Sequence, residues 1–504
     1  MRVLISILLF NQLIFSANIL SNCIVAPDTR TFERFQFTFP EQIESEHFIV
    51  HFTTSNADSQ FVNEQWLNLQ CNFGYAQSVI ELAEYALAIF MEADWEMMPP
   101  DCDEGITDEE SPNHCNNFGG NALYDIYLAN DAVGLVAPEN PYPVEPYIGG
   151  FTSFMQVTPL GNEHTFVPDW SVHVIAHELH HAIQIRYGTS VSGEPGNYAY
   201  NGWLYEQTST YMENVIFPAS YHFLVMMGNC NITSPLTYPE ISIDSSVDIY
   251  QYRSALWQKF LVEAYGDSTI NRLIWEGFGL ETATGNPVNM FPIYESALQT
   301  VTDGVTTLGD AYEDYALWRY FTGSRSRPGE FFMQAASYCT ANLLAIEETS
   351  TTFPSEKGGA RLVKLLPYET NLLLASSAYD NLLVQHISFS EEDEILMSSI
   401  EVNGEESFFQ LYNPAGDNHA LLITSEYTGE PSEEIEFTLA NTVPFMEGDI
   451  TGDSMVNVQD IIVQINIILH QIDPTDYQWL AADLDENNVV DVLDVILLVN
   501  LILG

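Results

Sequence analysis

Five residues, His177-Glu178-Leu179-His180-His181, constrain this chain more than any other stretch. They read H-E-x-x-H, and the chemistry of that pattern asks for a helix. Residues four apart lie one above the other on a helix, so His177 and His181 bring two imidazoles to one metal ion. Glu178, one step round, reaches a metal-bound water without being forced into the coordination sphere. The surrounding run agrees. Val172, Ile175, Ala176, Leu179 and Ile183 fall at i, i+3, i+4, i+7 and i+11, which predicts one apolar face. Pro168 and Asp169 suit the first turn, Arg186 the last, and Gly188 the stop. His173, His177 and His181 form a second stripe. On these residues alone the competing reading is a histidine-rich amphipathic helix that binds no metal.

A hydrolytic zinc site needs three protein ligands and one open position. Downstream, Trp203-Leu204-Tyr205-Glu206-Gln207-Thr208-Ser209-Thr210-Tyr211-Met212-Glu213 offers a carboxylate, Glu206, 25 residues beyond His181. The Gly/Ser/Pro/Asn-rich stretch 187–201 reads as the connection between two helices. Glu213, seven residues past Glu206 and on nearly the same face, is the reserve third ligand. His173 and Thr210 are candidates for outer hydrogen bonds that orient the ligands.

The pairing of H-E-L-H-H with W-L-Y-E-x-x-x-x-Y-M-E resembles the gluzincin metallopeptidases, the clan of thermolysin-like enzymes and zinc aminopeptidases. It is similar, more closely, to a group of secreted and largely uncharacterised bacterial proteins read as metalloproteases. The resemblance runs from about Glu46 to Leu343. It implies a zincin-like α+β domain, a small mixed sheet plus helices, with His177, His181 and Glu206 holding one catalytic Zn2+ and Glu178 as general base. Gln207 stands where the clan often has glycine. A metzincin would need glycine and histidine where this chain has Gln184 and Tyr187. By the same resemblance Tyr252 matches a tyrosine that donates to the tetrahedral oxyanion in the aminopeptidases. Phe151–Val157 is the candidate sheet-edge strand that takes an extended peptide. The implied activity is hydrolysis of peptide bonds in a protein or peptide substrate. The alternative is a catalytically silent, calcium-dependent surface or scaffold protein with a zincin fold. A carbohydrate-degrading enzyme lacks a recognisable carboxylate pair.

The 504 residues carry 13 Lys+Arg against 70 Asp+Glu, a formal charge of −57. That field repels phosphate backbones and anionic bilayers, so nucleic acid and anionic membrane surfaces are excluded as partners. Residues 1–17 read as a signal peptide: Arg2, an apolar run Val3–Phe15, and small residues Ser16-Ala17 for cleavage. The expected location is therefore secreted, extracellular or cell-surface associated, with no membrane span. Of six cysteines, Cys102 and Cys115 flank an acidic loop that a disulfide would close. The other pairings are left open.

Along the chain, strands are expected at Glu46–Thr53, Ala122–Leu128 and Phe151–Val157, with a Pro-rich loop around Pro138–Pro146. Helices are expected over Phe73–Ala93, Tyr250–Leu261, Asp310–Thr322 and Pro328–Leu343. From 346 to 445 short apolar or alternating segments, including Leu362–Leu366, Leu372–Ser376, Leu382–Phe389 and Phe408–Leu411, predict an all-β sandwich appendage to a domain spanning 18–345. Within 446–504 two 12-residue loops, Asp449–Asp460 and Asp483–Asp494, repeat at a spacing of 34. Oxygen-bearing side chains occupy loop positions 1, 3, 5, 9 and 12: Asp449, Thr451, Asp453, Asn457 and Asp460, then Asp483, Asp485, Asn487, Asp491 and Asp494. That is the donor pattern of a calcium shell, and an apolar helix follows each loop. The repeat resembles a dockerin module, which implies two structural Ca2+ ions and a cohesin-like protein partner. Positions ten and eleven, Val458-Gln459 and Val492-Leu493, depart from the Ser/Thr usual there. Ser454 and Asn488 stand where glycine normally makes the sharp turn.

Overall fold

The computed structural model describes residues 34–62, 65–102, 114–115, 118–129, 134–189, 198–282, 288–345, 351–353, 358–365, 371–389, 394–410, 418–425, 435–441, 447–453, 455–472, 474, 476–485, 487 and 489–503. The expected signal peptide lies outside them. The architecture is mixed α+β. The chain divides into two compact units: Met1–Asn342 with Phe353–Leu362 and Thr424–Glu434, and Leu343–Thr352 with Val363–Ile423 and Ile435–Gly504. The β-rich appendage and the calcium-loop segment both fall largely in the second unit.

In the first unit, strands β1 (Glu41–Glu44), β2 (Phe48–Phe52), β5 (Tyr124–Tyr127), β7 (Phe151–Val157) and β6 (Gly134–Pro141) form one sheet in that spatial order. A separate hairpin pairs β3 (Ser59–Val62) with β4 (Gln65–Asn68). β2, β5 and β7 run parallel, while β1 and β6 pair antiparallel at the two sides. Parallel strands are covered on both faces and read as continuous apolar runs. Every residue of β2 and β5 is accordingly buried.

The edge strand differs from the expectation. Phe151–Val157 lies between β5 and β6, and the edge on that side is β6. The segment expected to be a proline-rich loop is in part this strand. Proline donates no ladder hydrogen bond and so is confined to edges. Here Pro138 pairs with Ser153, and the register shifts between Pro138 and Pro141.

Helix α1 (Phe73–Glu92) starts at Asn72, whose side chain accepts from the Gly74 N–H at 2.8 Å. Helix α2 (Val172–Tyr187) carries the histidines and packs on β6, β7, α1 and α3 (Tyr198–Ile216). It is buried on every side from Val174 to Tyr187 and not along one face. It begins at Val172, later than Pro168 and Asp169 suggested, after a turn in which the Ser171 N–H donates to Pro168 O. Arg186, placed by sequence at the helix end, also reaches outward to the Tyr147 and Val144 carbonyls.

The helices α4 (His222–Gly228), α5 (Tyr250–Arg253), α6 (Ala255–Tyr265), α7 (Ile270–Thr282), α8 (Met290–Val301) and α9 (Leu308–Tyr320) follow. The single helix expected over Tyr250–Leu261 is thus broken at Ser254. Pro328–Leu343 is not a helix. It holds one three-residue 3-10 turn, Ala335–Ser337, and is tied down by the disulfide Cys230–Cys339. The expected Cys102–Cys115 disulfide is formed, and Cys71 is buried and free.

Further along, two sheets are built from β8 (Leu344–Ala345), β9 (Thr351–Phe353), β10 (Ala360–Lys364), β11 (Asn371–Ala375), β12 (Leu382–Phe389), β13 (Leu396–Ile400), β14 (Glu406–Gln410), β15 (Asn418–Ser425) and β16 (Ile435–Asn441). Their orders are β13-β12-β15-β10-β8 and β14-β11-β16-β9. The C-terminal segment holds α10 (Val458–Ile468), α11 (Asp476–Ala482) and α12 (Val492–Leu503) around a small core of Ile450, Ile467, Ala481, Ala482, Leu484 and Leu498. Among the described residues, no helix is long and apolar enough to cross a membrane.

Candidate metal centre

The spacing of four on α2 stacks His177 and His181, with ring centroids 4.6 Å apart and perpendicular. The facing helix α3 delivers Glu206 between them. Its Oε2 lies 3.1 Å from His177 Nε2 and 3.3 Å from His181 Nε2. All three side chains are buried, and their donor atoms form one of the clusters able to hold a metal ion.

The outer contacts fix the tautomers. Glu213 Oε1, a pure acceptor, takes the His177 Nδ1 proton at 2.7 Å. Gln184 Nε2 donates to the Tyr205 carbonyl at 3.1 Å, so its Oε1 is the atom that accepts from His181 Nδ1 at 2.7 Å. Ser209 Oγ lies 3.1 Å from the same nitrogen. With both Nδ1 atoms protonated, two Nε2 lone pairs converge on a carboxylate oxygen. His181 Nε2 is buried and makes no hydrogen bond. Three acceptors facing one point repel each other unless a cation sits there, and the donor set, two imidazoles and one carboxylate, is one that zinc takes. The residues therefore fit a zinc ion. Burial pushes the His181 imidazole below its ordinary range.

Glu178 is also buried, on the side of α2 facing the start of β6. Gly134 there is so close that a Cβ on it would stand 2.5 Å from Glu178 Cγ. The Tyr252 ring stacks near His177, centroids 5.9 Å apart and 19° from parallel. Of the sequence-selected residues, His177, His181 and Glu206 come together with the Tyr252 ring beside His177, while Glu178, on the same helix, faces Gly134. Glu213 sits behind His177 as its orienting acceptor, not at the third-ligand position. Thr210 is buried with its hydroxyl unbonded and orients no ligand; His173 instead stacks on His222 at 4.0 Å. Sequence reasoning gave no role to Gln184, Ser209, Gly134 and His222. Only Gln184, one turn past His180, had a local signal.

The two acidic loops have parallel wiring. Asp449 Oδ1 accepts from the Gly452 and Asp453 amides, and Asp460 from those of Thr451 and Asn457. Asp483 accepts from the Asn487 amide, and Asp494 from those of Leu484, Asp485 and Asp491. Asp483, Asp485 and Asp494 form a cluster able to hold a cation. Ser454 and Asn488, the departures at the sixth loop position, lie outside the described residues.

A family model, DUF6055, described as a family of unknown function, matches residues 165–292, about a quarter of the chain. The matched span contains α2, α3, α4 and Tyr252. No curated protein matches the chain.

Proposed function

We propose that this protein is a secreted zinc-dependent peptidase of zincin-like architecture. The observation that carries the reading is the approach of His177 Nε2 and His181 Nε2 to one Glu206 oxygen, at 3.1 and 3.3 Å, with both imidazoles turned by outer acceptors so that their lone pairs face the carboxylate. Bound zinc supplies Lewis-acid polarisation of a carbonyl and lowers the pKa of a water. Glu178 takes that water's proton and passes it to the leaving amine, for which its buried place on the helix that carries the two histidines suits it. Tyr252 donates from its hydroxyl to the oxyanion that develops on the peptide carbonyl. An extended peptide adds to the outer side of β6, whose first residue, Gly134, lies against Glu178. The two disulfides support an oxidising, extracellular setting. The repeated acidic loops support a dockerin-like module that binds two Ca2+ and a cohesin-like partner.

The test is casein hydrolysis by the full chain, wild type against Glu178→Gln, with zinc content measured on both. Wild type should cleave casein. The variant should keep the wild-type zinc content and lose about 10²–10⁴-fold in turnover, since the ligands survive and the base does not. A zinc-bound wild type that cleaves no protein substrate would sink the peptidase reading, and absence of zinc would sink the site.

A further inference from the structure

The histidine stripe of α2 continues one turn beyond the site just described. His173 precedes His177 as His177 precedes His181, and on α3 Glu213 follows Glu206 by two turns. A histidine of one helix therefore faces a carboxylate of the other a second time, with donor atoms of His173 and Glu213 within 4.8 Å. At the second place a third element joins in. α4 opens with His222, whose Nδ1 lies 2.5 Å from Glu213 Oε2 and whose ring stacks on His173 at 4.0 Å. The ring is aimed by Tyr221, held in the left-handed region at φ 59°, a costly conformation for a bulky residue that persists only where the surroundings fix it.

We propose that His173, Glu213 and His222 bind a second divalent cation, of the borderline class represented by Zn2+ and Co2+. One donor atom from each residue lies within 4.8 Å of the others, a spread that side-chain rotation closes to metal–ligand bonds of about 2 Å. Two imidazoles and one carboxylate select such an ion over Ca2+ or Mg2+, which prefer all-oxygen shells. Hydrogen bonding alone does not account for the cluster. Glu213 is satisfied by His177 and His222, yet His173 Nδ1 is buried beside them with no hydrogen-bond partner. Glu213 is buried, and its ion pairs are with His177 and His222, not with Lys or Arg. The His222 side chain is 21% exposed, which gives an ion a way in. Glu213 would then serve both places. One oxygen holds the His177 Nδ1 proton, and the other faces the second cation. Filling the second place draws charge from the acceptor that orients His177, so the two occupancies are coupled.

The full chain, stripped of transition metal and held in excess calcium to occupy the acidic loops, is titrated with zinc. Bound zinc per chain is then counted for wild type, His173→Ala/His222→Ala and His177→Ala/His181→Ala, with near-UV circular dichroism as the fold check. The expected counts are two, one and one. His222→Gln, which keeps a similar size and an N–H donor, should also drop to one if the double variant fails to fold. Equal counts in wild type and in the His173/His222 variants would overturn the proposal. A single zinc lost only in the His177/His181 variant would do the same while leaving the peptidase site intact. A single zinc lost only with His173/His222 would uphold the second site and remove the first.

Discussion

Glu178 has room for its carboxylate because residue 134 is glycine. Any side chain there would meet Glu178 Cγ at 2.5 Å and Oε1 at 2.6 Å, closer than packed atoms tolerate. Gly134→Ala should therefore displace Glu178 or lift the start of β6, while His177, His181 and Glu206 keep their places. Turnover on casein should fall by about 10²-fold, the cost of misplacing a catalytic group by about 1 Å, with zinc content unchanged. Unchanged turnover would mean that the base is not Glu178. This contact marks where sequence reading stops at the residue scale. His177, His181 and Glu178 were legible because helical spacing alone decides where they point, and Glu206 because a carboxylate on a following helix completes the set. Gly134 and His222 were not. Each reaches the site through sheet or helix packing across 44 and 41 residues, from His222 back to His181 and from Glu178 back to Gly134 in the reverse order, and no local pattern records such an approach.

Among the elements, those with a clean period came through: β7, α1, α2 and β12 fall within a few residues of their expected ranges. The failures have identifiable causes. The prolines of β6 read as a loop because proline is excluded from central strands but not from an edge. The amphipathic run Tyr250–Leu261 read as one helix because Ser254 carries no helix-breaking signature. Ahead of that break, Asp248 and Ile249 are both left-handed, at φ 48° and 57°, and Arg253 grips the Asp248 carbonyl at 3.0 Å and that of Thr233 at 2.7 Å. A β-branched residue in that region is strained by about 1–2 kcal/mol. The turn aims Tyr252 at His177. Ile249→Gly should relieve the strain, and the thermal transition should rise by a few degrees, about 2–4 °C per kcal/mol recovered, less what the half-buried isoleucine contributes. Freed of the constraint, Tyr252 is held less firmly, so kcat should fall as stability rises. A variant both less stable and equally active would show that the turn is unstrained packing.

Over the whole molecule, a charge of −57 makes carboxylate repulsion a global term, and the chain meets it in two ways. Monovalent salt acts everywhere, since screening shortens from about 30 Å at 0.01 M to 3 Å at 1 M. On the dockerin-like reading proposed above, calcium would act at the two loops, where carboxylates gather. The repeat of those loops was legible because it needs no tertiary information, whereas α11 between them was not singled out. The described core of the C-terminal segment is small, with Ile450, Leu484 and Leu498 next to the loops, so on that reading a counter-ion supplies much of its stability. Removing calcium with EGTA at constant ionic strength should therefore lower the melting of the C-terminal segment. At saturation the loss is RT ln(1 + [Ca2+]/Kd), about 2.7 kcal/mol where calcium stood at a hundredfold its Kd. The transition of the first unit, which contains the histidine site, should not move. Added sodium chloride should instead raise both transitions together. If EGTA left the C-terminal melting unchanged, the loops would be solvated acidic turns, and the dockerin-like reading, with its cohesin-like partner, would lose its physical basis.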